Sequence, residues 1–270
     1  MIRRPPRSTH CISSAASDVY KRQITDRNNF FGLIKAYKAA EREGVKLIVG
    51  ADFELLEAGD RRSQITFLAQ NHAGYRNLTV LISRAYQEGQ ILGRPLLRRD
   101  WIESHSKGLL VLSGGRNGDV GQHLLAGRES DAEQALSWWM SRFPERFYLE
   151  LQRTDREYEE DYLHAAVTLA ARTDCPVVAT NEVCFLTPDE FDAHEARVCI
   201  GDGRTLNDPR RPRHFSEQQY MRSPEEMADL FQDIPEAIEN TVHIAQRCTC
   251  LLYTSPSPRD QRGSRKPGSA

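Results

Sequence analysis

Five short apolar runs, separated by stretches with helical spacing, constrain the fold more than any other feature. They are LIVGADFELL within 46–56, QITFLA at 64–69, LLVL at 109–112, FYLEL at 147–151 and PVVAT at 176–180. Each has the length of a strand rather than of a helix. ITD at 24–26 reads as the end of a further strand. In 29–43 the apolar residues Phe30, Leu33, Ile34, Tyr37 and Ala40 recur every three or four positions. That spacing predicts a helix, and Gly44 suits its left-handed stop. Segments 74–88, 131–142, 159–172 and 235–247 predict helices in the same way. Thr187-Pro188-Asp189-Glu190 and Ser223-Pro224-Glu225-Glu226 both read as capping boxes with proline at the first helical position. Strands alternating with helices predict an α/β fold with parallel strands. No linker-like stretch divides residues 24–248, so one domain is expected there.

The two ends have a different character. Residues 1–23 and 249–270 are rich in Arg, Ser and Pro and lack strand or helix periodicity. Residues 13–23, SSAASDVYKRQ, back-translate to a transposon-type sequencing-library adapter ending in its mosaic end. Residues 250–260, CLLYTSPSPRD, back-translate over their first half to the reverse complement of the same element, shifted by one base. Both ends are therefore read as translated adapter DNA and as disordered tails, leaving a fragment at 24–248. On that reading Cys11 and Cys250 are foreign. Cys175, Cys184, Cys199 and Cys248 show no CxxC spacing, so a reducing, cytoplasmic setting is expected.

This changes the electrostatics. The whole chain carries a net charge of −2. Without the nine basic and two acidic side chains of the ends, the charge falls to −9. An acidic domain is a poor grip for a phosphate backbone, which argues against a nucleic-acid-binding module. No apolar run approaches the roughly 20 residues of a spanning helix, so no membrane partner is expected.

Catalytic groups in parallel α/β folds gather at the C-terminal ends of strands. Those ends offer Asp26 and Arg27, Asp52, Gly114 and Gly115, Glu150, and then Asn181, Glu182 and Cys184. Such carboxylates would suit a metal-dependent hydrolase, but the histidines do not converge on them. His72, His105, His123, His164, His194, His214 and His243 are scattered, without HxH or HExxH. His194 in FDAHEARVC is the strongest candidate among them for more than a structural role. SGGRNGDVG at 113–121 lacks the spacing of a phosphate loop and reads as a turn into a short helix. DPRRPRH at 208–214 reads as a solvated loop, and Trp138-Trp139 as packing residues.

Taken in order, ITDRNNFFGLIKAYKAA, VGADFEL, GYRNLTVLISRAYQEG, LVLSGGRNGDVG, PVVATNEV and FDAHEARVCIGDGRTLNDPRRPRHFS resemble one family across nearly all of 24–248. It is the N-terminal PHP (polymerase and histidinol phosphatase) domain of bacterial, proteobacterial-type DNA polymerase III alpha subunits. The resemblance implies a distorted (β/α)₇ barrel, here lacking its first strand and helix and open on that side. It also implies a parent DNA-directed DNA polymerase of replication, whose palm carboxylates hold Mg²⁺ beyond this fragment. No cofactor is expected within the fragment itself. The family's metal-site positions fall on Asp26, Arg27, Asp52, Gln64, Gly115, Glu182 and Cys184. Where metal-binding members carry His, Glu, His, Cys and Asp-x-His, this chain has Arg27, Asp52, Gln64, Gly115 and Glu182-Val183-Cys184. A degenerate site without catalysis or bound metal is therefore expected, in a scaffold that docks the proofreading exonuclease (epsilon) subunit. The alternative is a metal-dependent PHP-type phosphoesterase.

Overall fold

The computed structural model describes residues 9–11 and 21–249. Of the tails expected at 1–23 and 249–270, residues 1–8, 12–20 and 250–270 lie outside the described residues. In chain order the elements begin with β1 (Thr9–Cys11), β2 (Lys21–Arg27), α1 (Leu33–Arg42), β3 (Lys46–Leu56), β4 (Arg62–Ala69) and α2 (His72–Gln87). A small hairpin of β5 (Gln90–Ile91) and β6 (Arg94–Pro95) follows, then α3 (Arg99–Ser104), β7 (Leu109–Leu112), α4 (Asp119–Leu125) and α5 (Glu129–Arg142). The chain continues through β8 (Phe147–Gln152), α6 (Glu159–Thr173), β9 (Val177–Val183), α7 (Phe191–Asp202), α8 (Pro224–Leu230) and α9 (Pro235–Arg247).

Seven strands pair in the order β1-β9-β8-β7-β4-β3-β2. Strands β2 and β3 are parallel, as are β7, β8 and β9. The expected parallel strands are present within a mixed sheet: β1 runs antiparallel to β9, and β4 antiparallel to both β3 and β7. Its connection to β3 is too short for a crossover, which takes a dozen residues or more. A tight turn with positive φ at Gly59 (71°) and Asp60 (59°) reverses the chain instead.

Thr9–Cys11 pair with β9, and Lys21–Gln23 extend β2 alongside Lys46–Ile48. Strand pairing is a backbone interaction, and an open sheet edge accepts almost any sequence that satisfies its N–H and C=O groups.

The period of two divides the sheet into two faces. On the outer face Val49, Phe53, Phe67, Val111, Leu149 and Ala179 pack against Leu78, Leu81, Trp139 and Tyr162 of the helices. Trp139, fully buried, stacks on Phe147 at 5.7 Å and donates Nε1–H to Asp119 Oδ2 at 2.8 Å, a packing role as expected. On the inner face Ile48, Leu68, Leu110, Leu112, Tyr148 and Val178 form a smaller cluster with Ile244, Ala245 and Cys248 at the end of α9. The expected capping box forms at Ser223, with both reciprocal hydrogen bonds present. At Thr187 it does not. Its side chain makes no cap bond, and Glu190 instead accepts from Leu186 N–H at 2.8 Å after a 3₁₀ turn.

Gln23 lies in register with Ile48 of the inner apolar cluster, 2% exposed. Neither its amide nitrogen nor its oxygen has a hydrogen-bond partner. A buried polar group without a partner costs about 1–3 kcal/mol. Gln23→Leu is expected to stabilise the domain by about 1–2 kcal/mol. The check is a higher urea midpoint at unchanged m-value, and a lower midpoint would contradict it.

Candidate functional site

The inner face changes character along the strands. At the α9 end it is apolar. Midway it carries Asp52, Thr66, Glu150 and Thr180, all buried. At the mouth, where the parallel strands end, it carries Arg27, Glu54, Gln64, Gln152, Glu182 and Cys184. Alternation along each strand produces this row. Thr25 and Arg27 share the pleat of Gly50 and Asp52, while Gln64 lies opposite Glu54.

Most of the predicted site positions therefore converge. Asp52 Oδ1 accepts from Thr66 Oγ1 at 2.7 Å. Glu54 stands between Arg27 at 3.8 Å and Arg62 at 3.9 Å. Gln64 accepts a long hydrogen bond of 3.5 Å from Asn117 Nδ2. A Cβ on Gly115 would approach Gln152 Oε1 at 3.2 Å, and its φ of 58° favours glycine for a second reason. Asp26 is the exception. Its register with Ala51 puts it on the outer face, where Oδ2 accepts from Gly32 N–H at 2.7 Å and fixes the entry into α1.

At the floor of the mouth Glu150 is fully buried. It accepts from Gly114 N–H at 3.1 Å, Gln152 Nε2 at 3.2 Å and Thr180 Oγ1 at 2.5 Å. The centre of the mouth belongs to a residue that the sequence reading missed. Arg156 comes from the loop after β8 and is almost wholly enclosed, with 7% of its side chain exposed. Its Nη1 donates to Glu182 Oε2 at 2.6 Å and its Nε to Thr154 Oγ1 at 2.8 Å. Its Nη2 donates to Gln152 Oε1 at 2.9 Å and to Glu159 Oε1 at 3.3 Å. Glu159 in turn accepts from Thr154 N–H at 2.5 Å and Thr154 Oγ1 at 2.8 Å. The loop reaches this position through positive φ at Asp155 (58°) and Tyr158 (60°). A left-handed tyrosine costs about 1–2 kcal/mol, which the network it supports must offset.

Burial alone would weaken the charge of Arg156. Glu182 and then Glu159 outweigh that and hold its pKa above the ordinary value. Arg116 faces the same cluster, and burial followed by repulsion from Arg156 lowers its pKa. The Cys184 thiol is pushed up to about 12, first by burial and then by Glu182. Among the described residues, no group of three or more His, Cys, Asp or Glu side chains is placed to hold a metal ion. His194 lies outside this mouth, on α7.

A curled α/β sheet with its polar row at the strand ends is the architecture of one class of proteins. A family model described as the PHP domain matches residues 13–154, and the chain belongs to that family. Its relatives narrow the comparison. The chain is 53% identical over 227 residues to DNA polymerase III subunit alpha of Pseudomonas aeruginosa, covering 83% of this chain and 19% of that one. It is 54% identical over 233 residues to the same subunit of Escherichia coli K12, covering 85% and 20%. The chain thus spans about a fifth of the length of the curated relatives it matches. A solved structure from Bifidobacterium adolescentis, assigned as a metal-dependent phosphoesterase, aligns at 13% identity and TM-score 0.40 over 64% of this chain and 85% of that one. Among the described residues no helix is long and apolar enough to cross a membrane.

The raised Cys184 pKa gives a direct test. At pH 8 the native thiol should react with iodoacetamide about a thousandfold more slowly than in the unfolded chain, because only the thiolate attacks. Site-resolved mass spectrometry would read this, with labelling accelerating as the pH rises above 8. Equal native and unfolded rates at Cys184 would contradict the partly buried, carboxylate-flanked placement.

Proposed function

We propose that this chain is the PHP segment of a replicative polymerase alpha subunit, acting as a non-catalytic scaffold. The observation that carries the reading is Arg156, bound at once to Glu182, Glu159 and Gln152 in the mouth of the sheet. A guanidinium has five donors, no acceptor and a permanent charge. It occupies the carboxylates that a divalent ion would need and repels that ion. Arg27, Gln64 and Gly115 at three further family positions add a second cation, a neutral amide and no ligand. The donor set does not fit a catalytic metal, so no hydrolytic step is assigned to Asp26, Asp52, Glu182 or Cys184.

On this proposal the polymerase activity belongs to the rest of the parent protein, where Mg²⁺ is held by palm carboxylates. The alpha-subunit relatives support the parent, and the PHP match supports the domain. The proofreading exonuclease subunit is the proposed partner of the scaffold. DNA is engaged through other parts of the full-length protein, in the cytoplasm. The competing phosphoesterase reading requires the mouth to release Arg156.

The test is metal analysis of the purified chain after dialysis against Zn²⁺ and Mn²⁺, with p-nitrophenyl phosphate as substrate. Substoichiometric metal and no turnover are expected. A stoichiometric ion with turnover abolished by Asp52→Asn would establish the phosphoesterase instead. The scaffold role predicts that the alpha subunit carrying this segment co-elutes with the exonuclease subunit and loses it when the segment is deleted.

A further inference from the structure

The arginine-rich loop at 203–214 follows α7 and supplies no side chain to the mouth. It carries four arginines and a histidine against a single aspartate, within a 24–248 segment of net charge −9. Two turns shape it, closed by Asp208 N–H to Thr205 C=O at 3.2 Å and by Arg211 N–H to Asp208 C=O at 3.1 Å. Pro209 and Pro212 fix φ on either side of Arg210 and Arg211. Arg204 Nη1 donates to Arg210 C=O at 3.1 Å and so ties the two ends of the loop together. Arg211 is turned inward and ion-pairs with Glu195 of α7, which is 3% exposed. Beyond the loop, Phe215 packs edge-on against the His194 ring at 4.6 Å, and Ser216 Oγ donates to Thr154 C=O.

These anchors neutralise one guanidinium and leave the others short of anions. The Asp208 carboxylate stands 3.5 Å from Arg204 and 3.6 Å from Arg210, so two cations share one acid. The Arg210 side chain is 89% exposed. Arg213 and His214 are exposed too, and neither makes a hydrogen bond or ion pair with another described residue. A solvated loop needs no fixed shape. Here two prolines and a buried ion pair hold like charges close together, and an anion would relieve that repulsion. Guanidinium forks match the oxygens of a phosphate, and a backbone already held in place loses little freedom on binding one.

We propose that this loop binds the phosphate backbone of single-stranded nucleic acid, through Arg204, Arg210 and Arg213, with the His214 ring against a base. The loop offers no helix or two-stranded ribbon to enter a major groove, and an exposed imidazole stacks on a base only where the base is unpaired. Residues 208–214 include no large apolar side chain that could anchor a peptide. The acidity of the remaining surface repels a nucleic acid elsewhere and confines the contact to this loop. It is an auxiliary contact, added to the main grip that the proposed parent has on DNA through its other parts. It does not depend on the scaffold reading of the mouth, because Arg204, Arg210 and Arg213 take no part in the Arg156 network.

The test is fluorescence anisotropy of a labelled oligo-dT single strand titrated with the full chain at several salt concentrations. A double variant, Arg210→Glu with Arg213→Glu, is compared with the unsubstituted chain. The control is Arg42→Glu with Arg76→Glu, which makes the same charge change at exposed positions on α1 and α2. Basic residues elsewhere are identical in the unsubstituted chain and the loop variant, and unchanged melting curves confirm folding. The loop variant should bind about tenfold more weakly at low salt, with a salt slope shallower by about 1.4, the value for two lost phosphate contacts on a single strand. The control should stay close to the unsubstituted chain. His214→Ala should weaken binding without changing the slope, because a stacked ring releases no counterion. The proposal is overturned if the strand does not bind at low salt, if both double variants weaken it equally, or if His214→Ala has no effect. It is also overturned if a glutamate-rich peptide of matched charge competes as well as unlabelled oligo-dT, since the loop would then belong to an acidic protein.

Discussion

The structure depends on one buried cation. Arg156 sits where the parallel strands end, and its three nitrogens reach four acceptors on β8, β9, the intervening loop and α6. In a low-dielectric site, two carboxylates as close as Glu159 and Glu182 would repel each other and lose hydration. The guanidinium compensates both. Its planar fork also ties Gln152 to Glu182, so two neighbouring strand ends are held by one side chain. The left-handed backbone at Asp155 and Tyr158 is the local cost of bringing it there.

That arrangement completes a gradient along the inner face of the sheet. The end near α9 is closed by Ile48, Leu68, Leu110, Val178 and Ile244, which exclude water. The middle layer, Asp52 with Thr66 and Glu150 with Thr180, is polar yet internally hydrogen-bonded. The mouth is charged and self-neutralised. A metal-binding relative would need the last layer to present unpaired anions and imidazoles. On the proposed scaffold reading, this chain keeps the layer and fills it with its own cation.

Much of this was legible in the sequence, and the failures have physical causes. The strands at 46–56, 64–69, 109–112 and 147–151 match observed ones because burial on both faces writes a continuous apolar run. Helices near 159–172 and 235–247 were legible from their spacing. The direction of β4 was not, because apolar pattern carries no polarity and only the shortness of the Glu57–Arg61 turn determines it. Asp26 was assigned to the mouth from its motif, whereas the pleat sends it to α1. Arg156 was missed because nothing in TDREYEE marks one of its charged residues for burial. Only the fold shows that Arg156 and Glu159 are buried and face Glu182, which is distant in sequence. The acidic pair Glu159 and Glu182 beside an internal arginine is a tertiary fact, invisible to local periodicity.

The most direct measurement is a double-mutant cycle in stability between Arg156 and Glu182, using Arg156→Met, Glu182→Gln and the pair. If the guanidinium is the internal counterion of the mouth, Arg156→Met alone should cost about 3–5 kcal/mol, since it leaves buried carboxylates uncompensated. The double variant should recover part of that loss, with a coupling of about 1–3 kcal/mol. Additivity within about 0.5 kcal/mol would contradict the account, because two residues that do not depend on each other cannot be the pair that closes this site.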